Sequence, residues 1–445
     1  MIFSTPSSIS LAIRAARPED AEAISACYCD AYASSNSSHL EKAYPFPQFM
    51  DPKWLEDAVT RDTICWMVAE IGDEVVGSMG AVRNIGTPDD RISELFGLVI
   101  REKWREKKIA TRLFVALTES LTDSCFLIAE TRTATEGGWR TVKRHGFVAC
   151  GIEPFAHTTP VGSEPMLLLG QFSRRCSAHR HTTGQTSTHV AMLAEKVLAK
   201  CRLKPLSSKM KQGYPTTAQS WSDLRESLEP IQESVELRNL AIHDEGHEFR
   251  ITEDVALERR LNLEWQQLGP YLSGIVGLNR LEGEDPTGGR YSDKSFVAYI
   301  GSHPVACSRV VWDHVDRRAR ILSLYTLFHG LQGLMIATIV DWLQTDLRDA
   351  RINIVIDVRA DCPALHSTLE QLGFFPTVYY PGFVAGVSGR VDVVQYTRLS
   401  GPGSDCTENL RWIEKVHWPE AREISEVVTH LSRAANTSTI SRSSL

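Results

Sequence analysis

The alternation of apolar and polar residues predicts the same series of strands twice along the chain. Short apolar runs that are rich in β-branched side chains and bounded by turn residues are typical of strands. The runs in the first half are Met67–Ile71, Val75–Val82, Ile92–Ile100 and Cys125–Glu130. The runs in the second half are Phe296–Ile300, Val305–Trp312, Ala319–Leu327 and Ile352–Val358. The matching order predicts two similar units.

Helical periodicity follows the third strand of each half. Apolar residues recur at helical spacing over Leu331–Trp342, and over Ile109–Leu117 in the first half. A second helix in each half is predicted to end before Gly146 or Gly373, where glycine suits a C-terminal cap. Each half is therefore predicted to be a mixed α/β unit with a strand–helix–strand crossover.

Residues at a constant spacing support this internal repeat. The matches at an offset of 227 residues (336 − 109 and 373 − 146) are Ile109-Ala110-Thr111 with Ile336-Ala337-Thr338, Gly146-Phe147 with Gly373-Phe374, Glu130 with Asp357, and Arg132 with Arg359. A single short match is close to chance. A collinear series at one spacing predicts a true repeat.

The repeat predicts an α/β protein with two mixed-sheet domains in tandem. The predicted parts are a first domain at residues 11–172, a partly helical linker at 173–236, a second domain at 237–400 and a C-terminal part at 401–445. In the linker, a helix is predicted at Val190–Lys200. In the last part, a helix is predicted to begin at Pro419, and the Ser/Thr-rich end beyond Arg433 is predicted to be disordered.

Composition excludes several classes of function. The 445 residues carry a formal net charge of −7, which argues against a generally basic nucleic-acid-binding surface. No apolar run reaches the ~18–20 residues that span a bilayer, and the first residues do not resemble a signal peptide. The 10 cysteines are scattered, so we expect reduced thiols, no metal site and a cytoplasmic protein.

One turn of this acidic chain is strongly basic. Between the third strand and the next helix lie Arg101, Lys103, Arg105, Lys107 and Lys108. A helix N-terminus offers unpaired backbone N–H groups and the positive end of the helix dipole, so it can hold a phosphate group. The turn is therefore predicted to bind an anion.

This turn resembles the acyl-CoA motif of the GNAT superfamily, Arg/Gln-x-x-Gly-x-Gly/Ala after an aliphatic strand end. Ile100, Trp104, Arg105, Ile109 and Ala110 occupy its places, and Gly146-Phe147 lies where the family commonly has Gly-Phe. The resemblance covers about Leu11–Phe172 and, more faintly, Phe249–Leu399. It implies an acyltransferase that uses acetyl-CoA or another acyl-CoA. The residues that it implies as cofactor-binding are Ile100, Arg105, Glu106, Lys107, Lys108, Ile109 and Ala110.

The first half departs from the family pattern at two positions. Lys108 occupies the first glycine position, and binding is expected if this residue keeps helical dihedral angles. Val142 occupies the place of a tyrosine that often serves as the general acid.

In the second half, Gln332 and Ala337 fit the motif, but Met335 replaces the glycine and the turn has no Lys or Arg. Leu369 again replaces the tyrosine. CoA carries several negative charges, so we expect the first half to bind it and the second half to be degenerate.

Two carboxylates are the candidate catalytic residues. Glu94 is the only acid within its strand, and alternation places it on one face with Phe96 and Leu98. A glutamate on this strand is a common base position in the resembled family, and a positioned carboxylate can take the proton of an amine. The second half has Ile321 at this place. The alternative is a surface carboxylate paired with an arginine.

The second candidate is Glu130, which ends the next strand. Its counterpart is Asp357, and each acid is followed by an arginine two residues later, Arg132 or Arg359. This pattern predicts a retained acid–arginine pair. A structural ion pair and a substrate-orienting role both remain open.

Three further groups have weaker signals. The aromatic, proline-stiffened loop Tyr44–Phe49 suits a small apolar or amphipathic acceptor, or simply packs on the domain. Cys176, His179, His181 and His189 fit no standard zinc spacing. Cys150 is interpreted as a buried structural thiol.

The sequence thus predicts transfer of an acyl group from CoA to the amine of a small molecule, with no membrane or nucleic acid involved. The alternatives are a non-catalytic acyl-CoA-binding or scaffold protein, and a transferase that draws on a carrier protein or aminoacyl-tRNA. The sequence does not name the acceptor, because acceptor pockets are built from loops.

Overall fold

The computed structural model describes residues 10–32, 46–159, 162–173, 177–217, 249–266, 273–278, 289–347 and 350–440. Within these residues, no helix is both long enough and apolar enough to cross a membrane.

The helices and strands follow the predicted order. The first half contains β1 (Leu11–Ala15), α1 (Ala21–Tyr32), α2 (Pro52–Ala58), β2 (Ile64–Ile71), β3 (Glu74–Arg83), β4 (Ile92–Ile100), α3 (Ile109–Glu119), β5 (Phe126–Arg132), α4 (Glu136–Arg144), β6 (Val148–Thr159) and β7 (Gly162–Phe172). The connecting segment contains β8 (Gln185–Thr186), α5 (Thr188–Cys201) and β9 (Ser207–Ser208).

The second half contains β10 (Phe249–Glu253), α6 (Val255–Gln266), β11 (Tyr291–Ile300), β12 (His303–Asp313), β13 (Arg318–Thr326), α7 (Leu331–Asp346), β14 (Ile352–Arg359), α8 (Pro363–Gln371), β15 (Phe375–Gly386) and β16 (Gly389–Ser400). After it come α9 (Thr407–Leu410) and α10 (Pro419–Ile440). Gly146 (φ 85°) and Gly373 (φ 82°) follow α4 and α8 in the left-handed conformation, as the sequence predicts for C-terminal caps.

All strands except β8 and β9 form one sheet of 14 strands. Its order is β1-β2-β3-β4-β5-β7-β6-β15-β16-β14-β13-β12-β11-β10, so the order from β1 inward matches the order from β10 inward strand for strand. The halves meet where β6 and β15 pair through Gly151 and Val378. These two residues are separated by the same 227 positions (378 − 151) as the sequence repeat. The central pair therefore marks the axis that relates the halves.

Turns from each half reach across this axis in the same way. The Asp316 carboxylate, between β12 and β13, accepts a hydrogen bond from the Thr158 N–H at 2.7 Å. The Asp90 carboxylate, between β3 and β4, accepts one from the Ala385 N–H at 2.6 Å. Thr158 and Ala385 are again 227 residues apart (385 − 158). The two contacts are therefore equivalent.

Each face of the sheet is covered by different helices. In the first half, α1 and α2 bury one face, in a core that includes Tyr28, Trp54, Trp66 and Val99. The other face packs against α3 and α4, and α5 and α10 cover the central strands β6 and β15.

The segments outside the two halves are packed more firmly than the sequence indicates. In the connecting segment, Arg180 is buried and forms an ion pair with Asp392 of β16. The described part of that segment thus packs against the second half as well as joining the halves. The prediction of disorder beyond Arg433 is wrong as far as Ile440, because α10 continues to that residue. Residues 441–445 lie outside the described residues.

Candidate functional site

The candidate site lies where β4 and β5 diverge. These parallel strands pair from Ile92 and Phe126 as far as Leu95 and Ala129. β4 nevertheless continues to Ile100 and β5 to Arg132, so the two strands separate towards their C-terminal ends. A shift of register between β3 and β4 marks a bulge next to the gap. At this bulge Gly97 has φ 66°, a conformation that glycine adopts without steric cost.

Aromatic side chains pack over the bulge. The Tyr28 hydroxyl of α1 donates a hydrogen bond to the Gly97 carbonyl. Phe49, in the short turn Pro47–Met50, stacks on Phe96 with the ring centroids 5.4 Å apart. The described part of the predicted acceptor loop therefore packs beside the diverging strands. Tyr44 and Pro45 of that loop lie outside the described residues.

The predicted anion-binding turn has an unusual backbone. Glu106 (φ 65°) and Lys108 (φ 60°) are both left-handed, and Lys108 is the N-terminal cap of α3. Lys108 does not have the helical dihedral angles on which the expected binding is conditional, because the chain takes there the conformation that a glycine would favour. Each left-handed residue costs about 1–2 kcal/mol. Turns of this kind direct successive N–H groups toward a common concavity and are typical of anion sites.

The cations of the turn have different roles. Arg101 forms ion pairs with Asp30 at 3.1 Å and Glu74 at 3.5 Å, and Lys103 forms one with Glu74 at 2.8 Å. Arg105, Lys107 and Lys108 are exposed, and within the described residues none of them is ion-paired. The Lys107 ammonium lies 4.2 Å from the centroid of the Trp104 ring. Three positive charges are thus available to an anion.

The remaining predicted cofactor residues are close by. Ile100 ends β4 beside the turn, and its carbonyl accepts a hydrogen bond from Arg105 Nε at 3.3 Å. Ile109 is buried under the first turn of α3, and Ala110 follows it. The seven predicted positions therefore lie together between the end of the strand and the first turn of the helix.

Glu94 lies on β4 just before the strands diverge, and 9% of its surface is exposed. It pairs in register with Val82, Phe96 pairs with Gly80, and Val99 pairs with Ser78. Because of the bulge, Val99 continues the face of Glu94 and Phe96. The prediction that Leu98 shares this face is therefore wrong. Glu94 is directed to the side covered by α1 and α2.

In each half, the arginine that lies two residues after the acid has a carboxylate partner from outside its own strand. Arg132 pairs with Glu164 of β7 at 2.5 Å, and Glu164 also accepts a hydrogen bond from the Ala134 N–H at 2.9 Å. In the second half, the Asp357 carboxylate pairs with Arg320 at 3.2 Å and Arg359 pairs with Asp361. Glu130 is the first residue of β5 beyond the paired region, on the edge of the gap.

Tyr32 is a candidate that the sequence analysis missed. It lies at the C-terminal end of α1, where burial raises the pKa of its hydroxyl and the guanidinium groups of Arg132 and Arg105 oppose that rise. Tyr32 therefore lies within electrostatic range of both the end of β5 and the cationic turn. Nothing in the sequence signals this, because the residue is more than 70 positions from the motif.

Three buried ionisable residues of the first half align with aliphatic residues of the second half. They are Glu94, His157 and Glu164, which correspond to Ile321, Val384 and Val391 at the offset of 227. His157 and Glu164 are fully buried and lie opposite each other on β6 and β7, as Val384 and Val391 do on β15 and β16. The fold thus accepts aliphatic residues at these places, and the first half has charged or polar ones.

The gap between diverging strands of the second half is filled by the chain itself. Pairing of β13 with β14 ends at Ile321 and Ile356. Residues 273–278 then line the end of β14, where the Val276 N–H donates to the Asp357 carbonyl at 2.8 Å and the Arg359 N–H donates to the Gly274 carbonyl at 2.7 Å.

The inserted segment is also tightly packed against β13. An added Cβ at Gly277 would lie 2.3 Å from the Leu322 carbonyl oxygen. Ile275, Val276 and Leu278 are all buried. A segment of backbone therefore occupies the space that a ligand between the strands would need.

The turn that follows β13 is also occupied, by an earlier start of the helix and by the connecting segment. α7 begins at Leu331, which aligns with Trp104, so this helix starts five residues earlier than α3 does (331 − 227 = 104, against 109). Gln332 is buried, and its side chain donates to the Ser273 carbonyl at 2.8 Å. An added Cβ at Gly333 would lie 2.3 Å from the Pro215 carbonyl oxygen.

The weaker candidates have ordinary partners. His189 pairs with Glu370 at 3.0 Å, and the His181 ring contacts Thr183 at 2.9 Å. No cluster of three potential metal ligands occurs among the described residues, and Cys176 lies outside them. Cys150 is buried, as predicted for a structural thiol, and burial raises the pKa of its thiol well above the usual value.

Comparison with known proteins identifies a domain in the first half. Residues 29–147 match the model of the acetyltransferase (GNAT) family. This range runs from α1 through the cationic turn to Gly146-Phe147, so the match covers the candidate site. The family model does not extend to the second half. No curated protein gives a significant match.

Among solved structures, the chain is similar to several acetyltransferases. Ribosomal-protein-alanine N-acetyltransferase from Brucella melitensis is 24% identical over 36% of this chain and 99% of that chain, with a TM-score of 0.32. The PaiA N-acetyltransferase from Thermoplasma acidophilum, in complex with coenzyme A, is 13% identical over 37% and 99%, with a TM-score of 0.29.

Proposed function

We propose that the first half transfers an acetyl group from acetyl-CoA to the amine of a small molecule, and that the second half is a degenerate copy of the same fold. The observation that carries the proposal is the difference between the two turns. The first combines left-handed backbone with three exposed cations that have no ion-pair partner among the described residues. The second is helical and covered by the connecting segment.

In this proposal the turn holds the diphosphate of the donor. The N–H groups that open α3 at Ile109 and Ala110 have no helical partner of their own and suit phosphate oxygens. Arg105, Lys107 and Lys108 add positive charge at the same place. The gap beyond Leu95 and Ala129 then receives the acyl end, because backbone groups there are released from strand pairing.

The proposed proton transfers use two side chains of the first half. Glu94 takes the proton that the amine loses as it attacks the thioester, directly or through water. The Tyr32 hydroxyl protonates the departing thiolate. Burial raises its pKa and keeps the proton on the oxygen, whereas the charges of Arg132 and Arg105 lower the pKa and favour the donation. Tyr32 would thereby replace the hydroxyl that Val142 lacks. Glu130, on the edge of the gap, orients the acceptor.

Binding of acetyl-CoA tests the donor site. Arg105→Ala combined with Lys107→Ala removes two charge-assisted contacts, each worth roughly 1.5–3 kcal/mol, so the Kd should rise at least ~100-fold in calorimetric titration. The matched control removes two exposed arginines of the second half, Arg259→Ala with Arg260→Ala, and should leave the Kd unchanged. Loss of binding in Gln332→Ala alone would move the donor site to the second half.

Release of free thiol with a panel of primary amines tests catalysis in the same proteins. Glu94→Gln and Tyr32→Phe should each lower kcat by about 100-fold, the usual scale of general acid–base catalysis, while the Kd for acetyl-CoA stays the same. Binding without thiol release from any amine would favour an acyl-CoA-binding protein. Release only from a carrier-protein thioester or aminoacyl-tRNA would identify a different donor.

A further inference from the structure

We propose that the acceptor site of the first half is completed by the second half, through a pair of residues that selects acceptors with a second hydrogen-bond donor. The pair consists of His157 on β6 and Asp316 in the turn between β12 and β13. This inference rests on the proposed acetyl transfer and names the kind of acceptor that the site would prefer.

Within the described part of the chain, only one of the two nitrogens of the His157 ring hydrogen-bonds to the second half. Its Nδ1 lies 3.2 Å from the Asp316 carboxylate, and both residues are fully buried. Its Nε2 is buried as well, and no hydrogen-bond partner for it exists among the described residues. A buried polar atom without a partner costs roughly 1–3 kcal/mol, and the great majority of such atoms are satisfied. This nitrogen is the atom to which we assign the ligand contact, on the strength of the further observations below.

The charge of Asp316 fixes which ring nitrogen carries the proton. Burial alone would raise the pKa of Asp316, but the hydrogen bond from His157 and the nearby cations Arg318 and Arg290 lower it below the usual value. A charged carboxylate accepts a hydrogen bond, so Nδ1 carries the proton. In the tautomer with the proton on Nδ1, Nε2 is a hydrogen-bond acceptor.

A purely structural role does not explain His157. At the aligned place the second half has Val384, which is equally buried and lies in the equivalent strand pair. The cross-axis contact does not need the imidazole either, because the backbone N–H of Thr158 or Ala385 makes it in both halves. Only the first half, which has the open turn, carries a buried polar ring at this position.

Aromatic contacts connect His157 with the diverging strands. The Phe46 ring lies edge-on to His157 with the centroids 5.0 Å apart, and Phe46 is 5.9 Å from Phe49. Phe49 in turn stacks on Phe96 of β4. Phe46 is partly exposed. An elongated, partly apolar acceptor that lies along these rings brings its distal end to His157 while its amine faces the strands.

The preferred acceptor therefore carries a hydroxyl or N–H group distant from the reacting amine. Nε2 of His157 accepts the hydrogen bond of that group, and the aromatic rings contact the apolar part between the two ends. Asp316 is a positioning residue, because it acts by holding the tautomer and orientation of the His157 ring. A histidine with the other tautomer would present a donor and would not accept this hydrogen bond.

Pairs of amines that differ by one hydroxyl group test the assignment. The probes are tyramine with 2-phenylethylamine, and 5-amino-1-pentanol with pentylamine, each with acetyl-CoA. In the unmodified protein, kcat/KM should favour the hydroxylated member of at least one pair by about 10-fold, the scale of one buried hydrogen bond. His157→Val, which introduces the residue of the second half, should reduce this ratio to about 1.

The variant Asp316→Asn tests whether Asp316 sets the tautomer of the His157 ring or only packs against it. Its amide can donate to Nδ1 and reverse the tautomer of His157, so the preference should disappear although the carbonyl can still accept from Thr158 N–H. Because each ratio compares two substrates of one variant, loss of folded protein cancels. Asp293→Asn, an exposed aspartate of the same half paired with Arg309, is the matched control and should keep the ratio.

The outcomes distinguish this inference from the proposed function. Acetyl-CoA binding without thiol release from any primary amine of the panel would overturn both. Turnover of other amines but of none of these four would overturn this inference alone. Turnover with no preference in either pair, or a preference that survives His157→Val, would overturn the role of His157 and leave the acetyl transfer intact. A preference lost in His157→Val but kept in Asp316→Asn would remove the second half from the site.

Discussion

The two pairs of diverging strands have the same place in the sheet but different surroundings. Beyond Leu95 and Ala129, no described segment pairs into the gap of the first half. Beyond Ile321 and Ile356, residues 273–278 do so. The strand order alone therefore does not make a site. Three local differences separate the halves: where the following helix begins, whether the chain fills its own gap, and whether aligned buried residues are polar.

The largest expected effect is a loss of stability of the second half at acidic pH. His366 in α8 is fully buried, and burial lowers its pKa from 6.5 to about 4, whereas the aligned residue of the first half is Trp139. The folded second half keeps His366 neutral while the unfolded chain takes up a proton. Its contribution to stability is thus present above about pH 6.5 and lost towards pH 4, by roughly 3 kcal/mol.

Urea unfolding at pH 7 and pH 4.5 measures this loss. His366→Gln should flatten the pH dependence, while His303→Gln, at an exposed histidine of the same half, should leave it unchanged. If the free energy of unfolding of His366→Gln still falls between pH 7 and pH 4.5 as in the unmodified protein, other groups cause the acid sensitivity.

A smaller effect is expected from disturbing the segment that fills the second gap. Gly277→Ala places a methyl group 2.3 Å from the Leu322 carbonyl oxygen, and such overpacking typically costs 1–3 kcal/mol. Thermal unfolding should show this loss. The Kd for acetyl-CoA and a stoichiometry of one should stay the same, since binding is assigned to the first half.

The matched control is Gly137→Ala in α4, where an added Cβ meets nothing within 4 Å and helix propensity improves. Binding of a second equivalent of acetyl-CoA by Gly277→Ala would contradict the proposed difference between the halves. It would show that the second gap can bind the donor once residues 273–278 are displaced.

The smallest effect concerns the backbone of the cationic turn at Lys108. Lys108→Gly should raise the unfolding free energy by about 1 kcal/mol, because glycine adopts φ 60° without the clash of a Cβ. Thermal unfolding measures the gain. Lys107→Gly is the control, since the described backbone is not left-handed at Lys107, and it should be neutral or destabilising. Equal shifts in both variants would argue against strain at Lys108.

The sequence predicts the repeated elements well, because period-two apolar runs and glycine caps are local signals. β4 was predicted with its observed bounds, Ile92–Ile100. Alternation alone does not reveal the bulge at Gly97, so it places Leu98 on the wrong face. Bulges depend on the partner strand, and one chain does not show its partners.

The basic turn was also predicted from sequence, since five cations in a short stretch are visible in one chain. Its left-handed backbone at Lys108 and the partners of Arg132 and Asp357 were not. These depend on Glu164 and Arg320, which come from other strands. The filling of the second gap was equally hidden, because residues 273–278 have no motif. The roles of Glu94, Glu130 and the turn remain predictions.

The pairing of Gly151 with Val378 has the geometry of an isologous homodimer interface. Gene duplication and fusion would turn such an interface into an intramolecular one, in which association no longer depends on protein concentration. A copy that is held in place covalently can then lose its own substrate and still support its partner. The degeneration proposed for the second half is compatible with an interface that is fixed covalently in this way.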